Sequence, residues 1–254
     1  MGIKELYKTK INNLPIVTLI FALTCLVVVI PTEVNKDYFY VFMTTNKPIF
    51  FWQYFSGIFE HSIFSPFTGQ LSNSFIFIHL GVNLAIMLFF GIVVENRVGS
   101  AKIIVLNIIA FIVQLSITFI GTDGVMIESA GASGIVYAYV PIALYIIIKE
   151  YKQKRINPFK EIFTYLYLVL LVIIYPFITL VSTWKATNKF HFLATIVGIF
   201  FLVLYKKSID RNTISKSKYK ALTWILLVIP IMMIVIAIVY KMGYLGNIRT
   251  WRFK

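Results

Sequence analysis

Residues 131–148 read GASGIVYAYVPIALYIII, from Gly131 to Ile148, and contain no charged side chain. As an α-helix the 16 residues from Ser133 onward measure about 24 Å, against a bilayer hydrocarbon core of about 30 Å. Such a run is read as a membrane helix, because lipid leaves the backbone to satisfy its own polar groups. The stretch opens on small and polar residues, so Ser133 is expected several Å below the outer surface. A helix that starts there exposes backbone N–H groups. They are costly in lipid, but in a water-filled hollow they make an anion site.

Working outward, six more apolar runs reach or approach spanning length. The seven predicted spans are 14–31, 75–94, 103–121, 132–148, 162–181, 190–205 and 221–240. Each is continuous rather than alternating, which argues against a transmembrane barrel. The composition agrees: 59% of the 254 residues are hydrophobic and 13% charged, too few charges to cover a soluble domain of this size. No repeat or linker interrupts the chain, so a single membrane-embedded domain over 1–254 is expected.

The net charge is +14, but its lysines and arginines sit between apolar runs. Basic charge of that kind sets topology; a soluble basic face for nucleic acid is missing. Lys4, Lys8 and Lys10, then Arg97 and Lys102, then Lys149 to Lys160, then Lys206 to Lys220 all fall on one side. The positive-inside rule therefore predicts a cytoplasmic N-terminus, with the plasma membrane as the expected location. Lys241, Arg249, Arg252 and Lys254 oppose this, but late charges carry less weight than early ones. The first run, after a short basic start, is expected to be a retained helix rather than a removed signal. Cys25 is the sole cysteine, so no intrachain disulfide or Cys metal cluster is possible. The segment from Thr32 to Ser74 is long and rich in aromatics, from Tyr38 to Phe67, which predicts a structured loop partly in the outer interface.

Polar side chains inside spans are expensive and default to functional hypotheses. The second span carries His79 and Asn83, the fourth opens on Gly131, Ala132, Ser133 and Gly134, and the sixth opens on Phe190 and His191. Second, fourth and sixth spans run in one direction through the bilayer. Each carries its polar group near its own start, so parity alone predicts a common depth on the outer side. A serine hydroxyl needs a neighbouring base, and His191 is a base at matching depth. Gly131 permits a tight entry into the helix. The Ser133 N–H, with His79 and Asn83 one helical turn apart, can donate to a developing oxyanion. Taken singly, each feature has a plainer reading. Gly-x-Ser-Gly in a membrane helix is a packing motif, and an intramembrane histidine is often a helix–helix hydrogen bond or an ion-path residue.

Together these residues resemble the rhomboid family of intramembrane serine proteases. Gly131-Ala132-Ser133-Gly134 is similar to the family's nucleophile motif. His191, with Ala194 and Gly198 following, resembles its base-bearing helix, and His79-x-x-x-Asn83 its oxyanion helix. Gly91, Glu95 and Gly99 keep the family spacing, Tyr137 matches a tyrosine that packs on the catalytic histidine, and Trp52-Gln53 with His61 resembles the membrane-embedded first loop. The resemblance covers residues 14 to 205. It implies an all-α polytopic protein, a six-helix rhomboid-like bundle with 221–240 as a seventh helix. It also implies a Ser133–His191 dyad supported by Gly131, Gly134, Tyr137 and Gly198, acting on single-span membrane proteins. The departures are Gln53 where Arg is usual, Ala194 where Gly is usual, and a longer stretch from His61 to His79. None removes a dyad or oxyanion residue, which argues against an inactive pseudoprotease. No cofactor or metal is expected, since three separated histidines with no acidic partner make a poor zinc set. The rival readings are a non-catalytic client-binding protein of the same fold and a transporter. The transporter reading lacks broken helices in paired halves.

Overall fold

Long apolar runs in a medium without water become helices, and that is what the computed structural model shows. It describes residues 14–45, 48–61, 73–120, 128–129, 131–153, 186–210 and 220–245. In chain order the helices are α1 Ile16–Val34, α2 Asp37–Phe42, α3 Asn73–Ile86, α4 Ile92–Val98, α5 Ser100–Ile120, α6 Ser133–Lys152, α7 Ala186–Asp210 and α8 Lys220–Lys241. A π turn, Met87–Gly91, joins α3 to α4 without a break. Two-residue strands β1 (Thr44–Thr45) and β2 (Glu128–Ser129) pair antiparallel. Five helical stretches have the length and apolar character to cross a membrane, and the later part of α8 is a shorter apolar helix. The protein is thus an all-α polytopic integral membrane protein. The span expected at 162–181, and most of the His61–His79 stretch, lie outside the described residues.

The described residues form two compact units. The first holds Ile86–Ile117 and the chain from Ser133 onward through α7. Its centre is α6, the most enclosed of the five spans, 67% buried against 22% for the α7 span. α7 buries His191, Ala194 and Phe201 on one stripe, with Gly198 in line, and turns Phe192, Ile196, Ile199, Phe200, Val203 and Leu204 outward. That is a helical stripe at 3.6-residue spacing with an apolar outer face for lipid.

Charged side chains gather at the far ends of these helices. Arg97 of α4, half-buried, pairs with the buried Glu150 of α6 at 2.6 Å. Lys149 pairs with Asp210 at 2.7 Å, and the Tyr145 hydroxyl donates to the same carboxylate at 2.8 Å. Gly99, at φ +86°, turns the chain between α4 and α5, a conformation that a Cβ disfavours. Beside it Ser100 donates to the buried Glu95 carboxylate at 2.7 Å.

The second unit holds Val17–Ala85, Thr118–Ala132 and the chain from Tyr219. Here the first loop is irregular, so its backbone groups need other partners. The last carbonyls of α2 are orphans by helix geometry. They accept from side chains of the 51–58 segment: Gln53 Nε2 to Tyr40 O at 2.7 Å, Trp52 Nε1 to Val41 O at 2.9 Å and Ser56 Oγ to Phe42 O at 2.5 Å. α8 meets this loop at Tyr38, whose hydroxyl donates to Ala237 O at 3.3 Å and whose ring stands edge-on to Tyr240.

Candidate active site

Ser133 is the first residue of α6 and is half-buried. Tyr137 follows four residues later, one turn along the same face. Its ring stacks on the imidazole of His191, with centroids 4.1 Å apart and planes at 15°. His191 itself is buried. The hydroxyl-bearing end of α6 and the imidazole of α7 therefore belong to one helix crossing.

Small residues set that crossing. A Cβ on Gly198 would collide with the backbone carbonyl of Ala138 and would stand 2.7 Å from Pro141 Cγ. Only glycine allows two backbones this close, the membrane form of tight helix packing. Gly134 meets the Gln114 side chain of α5, where a Cβ would lie 2.5 Å from Oε1. Contacts climb both helices in step: Tyr137 with His191, Ala138 and Pro141 with Gly198, Tyr145 and Lys149 with Asp210. α6 and α7 are thus parallel neighbours, as the parity of the spans predicts.

The remaining sequence-predicted residues lie in the second unit. Gly131 has φ +113°, in the region that favours glycine, and a Cβ there would stand 2.9 Å from His79 Cε1. The His79 ring therefore lies against the backbone just before Ser133. Asn83 is buried and donates to His79 O at 3.0 Å, one turn back on the same helix. His79 Nδ1 stands 3.0 Å from His61 O. A carbonyl can only accept, so Nδ1 carries a proton, and Nε2 carries one only in the imidazolium.

The sequence reading gives His61 no role beyond the first loop. In the structure it is fully buried, its Nδ1 donates to Phe59 O at 2.9 Å, and its Nε2 accepts the Ala132 N–H at 3.2 Å. Burial, with the neighbouring His79 second, holds its pKa down to about 3 from the ordinary 6.5, against a smaller upward pull from the Phe59 hydrogen bond. No metal cluster of His, Cys, Asp and Glu occurs among the described residues.

A family model for the rhomboid domain matches residues 69–208, more than half of the chain. The chain belongs to the rhomboid family. A comparison with curated proteins finds no match. Rhomboids include proteases and inactive members, so membership alone does not decide activity. The departures from the rhomboid pattern have local accounts. Gln53 is fully buried; its Oε1 accepts from the Ile49 and Phe50 N–H groups at 2.7 and 2.9 Å while its Nε2 serves Tyr40 O. A neutral amide thus supplies both donor and acceptor to the loop backbone without burying a charge. Ala194 is 1% exposed, so its methyl is accommodated on the packed stripe of α7.

Proposed function

We propose that this rhomboid is an intramembrane serine endopeptidase with a Ser133–His191 dyad, acting on transmembrane segments of single-span proteins. The observation that carries the reading is the Tyr137–His191 ring stack on the helix that Ser133 opens. A ring held face-on by a neighbour one turn from the hydroxyl has its orientation fixed, the requirement for a general base. Tyr137 takes the orienting place that a third carboxylate fills in other serine hydrolases.

In this mechanism His191 accepts the proton of Ser133 Oγ as the oxygen attacks the scissile carbonyl. The tetrahedral oxyanion collapses, the C–N bond breaks, and His191 returns the proton to the leaving amine. Water, deprotonated by His191, then cleaves the acyl ester and frees Ser133. The N–H groups of Gly131 and Ala132 are committed to Gly57 O and His61 Nε2. The Ser133 N–H, at the open end of α6, is the next one available for the oxyanion. His79 and Asn83 are assigned to the same oxyanion on their motif. His79 can donate from Nε2 only as the imidazolium, whereas a primary amide keeps a second N–H beyond the bond to His79 O.

The decisive test incubates the purified protein with a transmembrane substrate, wild type beside Ser133→Ala, together with fluorophosphonate labelling of Ser133. Cleavage and labelling that vanish in the variant support the protease. A wild type that retains a transmembrane client uncut and unlabelled is instead a binding member of the family. Solute flux into liposomes that Ser133→Ala leaves unchanged points to the transporter reading.

A further inference from the structure

His61 uses every polar atom it has. Its backbone N–H donates to Glu60 Oε1 at 3.0 Å, and Glu60 Oε2 accepts from the Thr32 hydroxyl of α1 at 2.8 Å. Its Nδ1 faces Phe59 O, its Nε2 faces the Ala132 N–H, and its carbonyl faces His79 Nδ1. Each facing group has a fixed sense. Phe59 O can only accept, so Nδ1 carries the proton. The Ala132 N–H can only donate, so Nε2 carries the lone pair. The ring is therefore neutral and in one tautomer, and a proton on Nε2 would set two N–H groups against each other. Among the described residues, the charged and titratable groups that face it are Glu60 and His79.

The segment this ring holds is the one that delivers Ser133. β1 pairs with β2, Gly57 O accepts the Gly131 N–H at 2.9 Å, and His61 accepts the next N–H along. The ties close on the residue before α6 begins.

We propose that His61 is a positioning residue: its Nε2 lone pair holds the Ala132 N–H, and so the backbone leading into Ser133, while its carbonyl fixes the tautomer of His79. The role rests on the protease reading given above; the hydrogen-bond clamp itself does not.

Two variants separate the ring nitrogens. In His61→Asn the side-chain amide nitrogen stands near Nδ1 and nothing reaches Ala132. In His61→Gln the terminal carbonyl reaches the place of Nε2 and accepts the Ala132 N–H. Misplacement of a reacting group by about 1 Å can cost 10²-fold. The expected result is a kcat lowered by roughly 10²-fold in His61→Asn, with KM unchanged, and restored to within about tenfold in His61→Gln. Wild-type kcat in His61→Asn, or equal loss in both variants, overturns the proposal.

Two measurements on the wild type stand apart from activity and from the folding of any variant. Ring ¹⁵N spectroscopy is expected to show His61 protonated at Nδ1 only across about pH 5–8, the range in which unperturbed histidines titrate. The Ala132 amide is expected to exchange slowly with solvent. A proton on Nε2 or fast Ala132 exchange removes the clamp whatever the enzyme does. A wild type that cuts nothing while both measurements hold defeats the protease reading and the positioning role built on it, and leaves the clamp as a structural finding.

Discussion

The α6–α7 crossing and the first loop solve the same problem, fixing chain in a medium without water, by opposite means. At the crossing most backbone groups are satisfied inside their own helices, so contact is left to shape: Gly198 against Ala138, Tyr137 against His191. In the loop the helical pieces are short and leave backbone groups over, and side chains serve these: Trp52, Gln53 and Ser56 on the carbonyls of α2, His61 on Ala132. Packing tolerates replacement by volume, whereas hydrogen bonds at depth tolerate only replacement by kind. The two regions should therefore fail differently when changed.

The largest effect is expected where the crossing carries chemistry. Ser133→Ala and His191→Ala should each lower turnover by roughly 10⁶-fold, and the double variant should be no worse, because a nucleophile and its base act as a unit. Wild-type turnover in Ser133→Ala would end the mechanism. Next comes Asn83→Ala, expected to cost about 10²–10³ in kcat with little change in KM; His79→Ala should cost less, because a ring protonated at Nδ1 has no Nε2–H to give the oxyanion, and if both turn over normally these side chains only brace helices. Gly198→Leu should destabilise by about 3 kcal/mol through overpacking, lowering Tm and activity together. Ile199→Leu, on the outward face, should change neither; equal damage from both would show that shape does not hold the crossing.

The smallest effect belongs to the loop. The folded pKa of His61 lies near 3 and its ordinary value at 6.5, so the unfolded chain binds the extra proton first as pH falls. Stability from this group is full above about pH 6.5 and is lost as pH drops toward 3. The loss reaches about 2 kcal/mol by pH 5. His61→Gln should flatten that part of a Tm-versus-pH curve, and a curve unchanged by the substitution would mean His61 does not control it.

Sequence reading reached the two regions unequally for the same reason. The spans follow from hydropathy and the shared depth of Ser133 and His191 from parity, whereas Tyr137 and Gly198 come from the resemblance to the rhomboid family. The second span was expected to stop at residue 94, but the helix continues to Val98 through Glu95 and Arg97. Hydropathy reads those charges as a boundary, although Ser100 and Glu150 satisfy them inside the protein. Glu60 is fully buried, with the Thr32 hydroxyl donating to its carboxylate, and nothing in its flanking residues announces that. His61 reaches Ala132 across 71 positions, with no periodicity to announce it. A side chain that bonds distant backbone leaves no pattern in a sequence.

The contact of Tyr38 with Ala237 has a consequence in time rather than space. The two residues stand 199 positions apart, so when Tyr38 leaves the ribosome its acceptor has not yet been made. The β1–β2 pairing must likewise wait for Glu128 and Ser129. Parts of the first loop are thus among the earliest segments synthesised and the last to find their native partners, because contacts remote in sequence close late. During synthesis, α1 and the polar backbone behind it must persist in the membrane before α8 arrives to complete the loop's bonding.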